Sequence, residues 1–86
     1  MKLTEDQSKL YHSHTLRNFE EINRSQKCGC MACCKIYPAI EITNYIDEGE
    51  TALCPLCGID AVVGDASGLE ISDKILKDLN QRWFCF

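Results

Sequence analysis

Long apolar runs are missing from this 86-residue chain: no stretch approaches the ~20 residues that a membrane-spanning helix needs. The first residues, MKLTEDQSKLYHSH, hold no apolar segment of the kind a secretion signal requires. These two absences point to the reducing cytoplasm. Proline and glycine are sparse, at 2 and 5 residues, and no repeat, low-complexity run or linker divides the chain, so one domain over 1–86 is expected. Basic residues are also scarce. Nine Lys and Arg stand against 13 Asp and Glu, giving a net charge of −4, the opposite of the basic face that nucleic-acid binders carry. Arg17, Arg24, Lys27 and Lys35 are scattered, as on a solvated surface. No nucleophile stands in a recognisable relation to a base, and only two histidines, His12 and His14, are present.

Cysteine is abundant instead. Seven occur, four of them in the stretch CGCMACC at 28–34. A complete disulfide framework would leave one thiol over, and in a reducing compartment paired cysteines hold metal more often than they form disulfides. Cys30 and Cys33 form one C-x2-C pair and Cys54 and Cys57 a second, twenty residues later, which is the spacing of four-cysteine zinc sites. Two intervening residues let a tight turn aim both sulfurs at one ion. In CPLCG, Pro55 presets the turn and Gly58 accepts a left-handed conformation after it. The first pair is less regular, because Cys34 stands where Gly58 stands in the second, and Cys28 is an alternative ligand to Cys30. Iron fits the same sulfur tetrahedron, but Zn2+ is the default. Four thiolates leave no coordination position for water, so the site is expected to hold the fold rather than to catalyse.

Around these pairs the sequence predicts helix, metal-held β-hairpins, helix. Thr4 and Gln7 make a capping box that opens a helix running to about Asn23, with Leu3, Leu10, Tyr11, His14 and Ile22 on one face. KIY at 35–37 reads as a short strand that Pro38 must end, unless the strand lies on a sheet edge. The spacing of Ile42, Tyr45 and Ile46 predicts a short helix, and 47–50 a turn. TALC and IDAVV read as two strands flanking the second cysteine pair as a hairpin. Ser72 caps a last helix whose apolar face is Ile75, Leu76, Leu79, Trp83 and Phe84, with Ile71 stapled to Leu76.

Other polar groups have plainer readings. His12 and His14, two apart on a helix, point in different directions and cannot reach one ion unless the helix breaks. Asp60, Asp65 and Ser67 around GDASG fit a loop better than a cation cradle. Cys28, Cys34 and Cys85 permit a thiol switch beside the zinc site, although free cysteines commonly serve as buried packing residues.

Taken together, CGCMAC, KIYPAIEI, TALCPLCGIDAVVGDASG and the terminal RWF resemble a family of small bacterial cytoplasmic proteins of zinc-ribbon type, over about His12 to Phe84. In that family Cys28, Cys30, Cys33, Cys54 and Cys57 match the cysteine pattern, whereas Cys34 and Cys85 are peculiar to this chain. The resemblance implies a cytoplasmic, metal-holding protein and assigns it no reaction. The expectation is a small α+β zinc-ribbon or treble-clef-like domain that binds another protein. A nucleic-acid-binding ribbon is the alternative, and an HNH-type nuclease using His12 or His14 with Asp60 or Asp65 is a third reading.

Overall fold

A computed structural model describes residues 3–84. Cys85, one of the surplus thiols, lies outside the described residues. The chain folds as a small α+β structure, with helices at its start, two small antiparallel sheets, and a closing helix. No helix among the described residues is long and apolar enough to cross a membrane.

The first helix, α1, spans Glu5–Ser13. Its capping box is complete: the Gln7 N–H donates to the Thr4 hydroxyl at 3.1 Å, and the Thr4 N–H to the Gln7 side chain at 2.8 Å. The expected continuation to Asn23 does not occur. The chain leaves the helix at His14, Arg17 adopts a left-handed φ of 48°, and a separate short helix, α2, covers Phe19–Arg24. Asn18 accounts for the break. Its side chain is buried and serves three backbone groups, donating to the carbonyls of His14 (3.0 Å) and Val62 (2.8 Å) and accepting from the Ala52 N–H (3.0 Å). A continuous helix would leave two of those groups, on two different strands, without a partner. The break also resets the apolar face: Leu3, Tyr11 and Ile22 are buried, whereas Leu10, Leu16 and Phe19 are exposed.

The main sheet has the order β2-β1-β5, built from β1 (Lys27–Cys30), β2 (Ile36–Pro38) and β5 (Val62–Gly64), with β1 antiparallel to both neighbours. A two-stranded ribbon pairs β3 (Tyr45–Ile46) with β4 (Thr51–Ala52). Two expectations are corrected here. Tyr45 and Ile46 are strand, preceded by a single 3-10 turn at Ala39–Glu41, because cross-strand bonds to Thr51 and Ala52 override the helical spacing. The strands either side of the second cysteine pair do not form a hairpin with each other: β4 pairs with β3, and β5 crosses to β1. The turn at 47–50 is present, with Asp47, Glu48 and Gly49 all at positive φ.

The last helix, α3, spans Asp73–Trp83 and starts at Ser72, whose hydroxyl accepts from the Ile75 N–H. It buries Ile75, Leu76 and Leu79, and Trp83 and Phe84 are half-buried against the core. Ile71 and Leu76 meet over the centre of β1, where a Cβ on Gly29 would stand 2.9 and 2.8 Å from their side-chain atoms. Glycine at 29 therefore lets α3 lie directly on the sheet. Asp78 on α3 accepts from the Leu3 N–H and from Arg82, and Arg82 also reaches the Leu3 carbonyl, tying the start of the chain to its closing helix.

Candidate metal centre

Each C-x2-C pair sits in a turn with the same backbone wiring. In the first, the Cys30 N–H donates to the Lys35 carbonyl at 3.0 Å and the Cys34 N–H to the Cys30 carbonyl at 2.8 Å. In the second, the Cys54 N–H donates to the Ile59 carbonyl at 3.0 Å and the Gly58 N–H to the Cys54 carbonyl at 2.9 Å. Both turns need a left-handed residue after the second cysteine. Gly58 supplies it at φ 79° and Cys34 at φ 61°, the irregularity that the sequence exposes. Space around Gly58 is open, so adding a Cβ there isolates the backbone cost. Gly58→Ala is expected to destabilise the metal-loaded protein by about 1 kcal/mol, read as a lower melting temperature with unchanged metal content.

The two turns face each other. The sulfurs of Cys30 and Cys57 are 3.6 Å apart, those of Cys33 and Cys54 are 3.7 Å apart, and all four lie within 4.8 Å of one another. A disulfide needs S–S contact at ~2.05 Å, so these are free thiols. A tetrahedron with zinc–sulfur bonds of ~2.3 Å has edges of ~3.8 Å, and the observed spacings fit that size. Among the described residues this is the one group of three or more His, Cys, Asp or Glu side chains close enough to hold an ion.

The thiols are unequal. Burial pushes Cys30 well above the usual thiol range, against the pull of the Cys33 and Ala32 N–H groups. Burial also acts against the Cys54 thiolate, yet the polar Tyr37 hydroxyl nearby and the Cys57 and Leu56 N–H groups bring it down to about 7. Cys57 is raised by burial despite an N–H donor from Ile59, although the residue itself is exposed. Metal coordination requires thiolates, and inward-pointing turn N–H groups are the feature that stabilises them.

Coverage differs as sharply as wiring agrees. The first turn lies under α3, where the Asn80 side chain donates to the Met31 and Ala32 carbonyls at 3.0 and 2.8 Å. The second turn is bare: Pro55, Leu56, Cys57, Gly58 and Ile59 are all exposed. Asn80 and Tyr37 are the site residues that sequence reading missed. Asn80 carries a faint signal, as an amide beside Leu79 near the apolar face of a helix. Tyr37 carries none, since only strand register brings it to the site.

The remaining candidates lie elsewhere. Cys28 is fully buried between Tyr37 and Gly64 and is not in the group of four; burial, with Asp65 nearby, pushes its thiol up to about 12. Cys34 turns its sulfur toward the Leu76 carbonyl at 3.6 Å, and burial raises it too. His14 faces Glu21 through Nδ1 at 2.8 Å, and His12 stacks on Trp83 with ring centroids 4.4 Å apart. His12 and Asp60 border a common cleft of about 250 Å³, but neither belongs to a metal-ligating group. Asp65 accepts from the Gln26 N–H, and the Ser67 hydroxyl donates to the Gly64 carbonyl, so both are engaged in building the loop.

No family model, curated protein or solved structure matches this chain.

Proposed function

We propose that the chain is a cytoplasmic, zinc-ribbon-like module that holds one zinc ion on Cys30, Cys33, Cys54 and Cys57 and uses the folded surface to bind another protein. One observation carries the metal reading: four free sulfurs from two identically wired turns, at the edge lengths of a zinc–thiolate tetrahedron. Four thiolates would outweigh the charge of a bound zinc ion and leave no position for water, which favours a structural role over hydrolysis. The cysteines do the holding, the turn N–H groups orient and stabilise the sulfurs, and α3 with Asn80 excludes water from one side.

The protein-partner reading draws support from the surface. The bare second turn displays Leu56 at 62% exposure together with exposed Ile59, an apolar tip, in a protein whose net charge of −4 opposes a phosphate backbone. Native mass spectrometry with and without chelator tests the metal: one zinc per chain is expected, and its absence, or iron in its place, overturns that part. Leu56→Asp is expected to keep zinc and lose a partner that the unaltered chain captures. Retention on nucleic acid with a steep salt dependence would favour the alternative ribbon function.

A further inference from the structure

We infer that the four cysteines are also an oxidation site, at which a peroxide joins Cys30 to Cys57 and Cys33 to Cys54, so that two disulfides replace a bound ion as the fastening between the turns. The inference rests on the reading of these cysteines as metal ligands. Two sulfur–sulfur approaches, of 3.6 and 3.7 Å, each run from one turn to the other, and they share no atom. Both pairs can therefore close without competing for a sulfur. Bonding distance is ~2.05 Å, so each pair has to approach by about 1.6 Å. The second turn is placed to make that approach: residues 55–59 are exposed, while the first turn is held under α3 by Asn80.

Unequal exposure sets the order of events. Cys57 is exposed, Cys33 is half-buried, and Cys30 and Cys54 are buried. A peroxide from solvent reaches Cys57, whose thiolate attacks one peroxide oxygen. The O–O bond breaks, hydroxide leaves, and a sulfenic acid remains on Cys57. The Cys30 thiolate then attacks the Cys57 sulfur, forming the S–S bond and expelling a second hydroxide. Two thiolates have lost two electrons, and one peroxide has become two hydroxides, which water protonates. A second peroxide does the same at Cys33 and Cys54. Sulfur in a disulfide no longer carries the negative charge that coordination requires, so oxidation releases the ion. The paired cysteines are 27 and 21 residues apart, so each bridge also restricts the unfolded chain. Bridges within a turn, Cys30 to Cys33 and Cys54 to Cys57, would release the ion equally but leave the turns unjoined.

The test treats zinc-loaded protein with graded hydrogen peroxide and follows zinc with a chromogenic chelator. Full release is expected together with the loss of four of the seven thiols and of four hydrogens from the apoprotein mass. Peptide mapping without reductant is expected to give the two cross-turn bridges. The oxidised protein should melt cooperatively in the presence of chelator and lose that transition when a dithiol reduces it. Cys34→Ala combined with Cys85→Ala removes two thiols outside the group and is expected to change neither release nor mapping. Within-turn bridges, bridges between chains, sulfinic acids without disulfide, or zinc retained under peroxide would each overturn the inference while the metal reading stands. So would oxidised protein without a cooperative transition, or a double variant that no longer releases zinc. Reduced protein that takes up no zinc overturns the metal reading itself.

Discussion

Adding a strong chelator to metal-loaded protein is expected to abolish its cooperative melting transition, an effect larger than any single core substitution should produce. The strands explain why. Those of the main sheet are three or four residues long and those of the ribbon only two, too short to supply a stable frame alone. Small domains of this length commonly depend on a staple. Here Cys30 and Cys54 are themselves part of the buried core, so ionising those thiols without a cation would place negative charge in an apolar interior. Structural zinc contributes ~10–16 kcal/mol of apparent binding free energy in small zinc folds, comparable to or greater than the ~5–15 kcal/mol stability of a typical domain. Circular dichroism melts with and without chelator make the comparison. Cys33→Ser, which removes one corner of the tetrahedron, is expected to reproduce the chelated state. A sharp transition retained after complete metal removal would show that the core suffices by itself.

Asn18→Ala is expected to produce the largest loss away from the sulfurs, about 3–5 kcal/mol, in denaturant titrations of metal-loaded protein. The substitution leaves the Val62 carbonyl and the Ala52 N–H, both in buried residues, without their side-chain partner. Each such group costs ~1–3 kcal/mol when stripped of its partner, and the His14 carbonyl loses a bond as well. The damage is architectural because Asn18 joins β5 of the main sheet to β4 of the ribbon. Asn18→Asp tests the same point more narrowly, since a carboxylate can accept from Ala52 but cannot donate to either carbonyl. Zinc content should be unchanged in both variants. A loss below 1 kcal/mol for Asn18→Ala would mean that water or a shifted chain replaces these bonds.

Asn18 also shows where sequence reading stops. As an interruption in an apolar stripe it was visible, but its role as a bridge between two sheets depends on partners 34 and 44 residues away, which no local pattern encodes. The same limit produced the error at Tyr45 and Ile46. Their helical spacing is genuine, yet pairing with Thr51 and Ala52 decides their conformation. Local chemistry, by contrast, was legible. Thr4 and Gln7 specify a capping box, Ser72 specifies the start of α3, and each C-x2-C turn specifies how its own two sulfurs are presented, because its hydrogen bonds close within six residues. Even the choice between Cys28 and Cys30 was half-readable. Both stand on one face of β1, and only the turn after Cys30 swings a second sulfur around to join it.

The uneven cover on the two cysteine turns sets the route by which a bound ion would be exchanged. Cys30 is fully enclosed, while Cys57 stands at the rim. A competing thiol or an oxidant arriving from solvent would meet Cys57 first, so dissociation of a bound ion would unzip from that corner inward and reloading would end there. Anything docked over Leu56 and Ile59 would shut that door, making retention of the cation a measure of whether the surface is occupied.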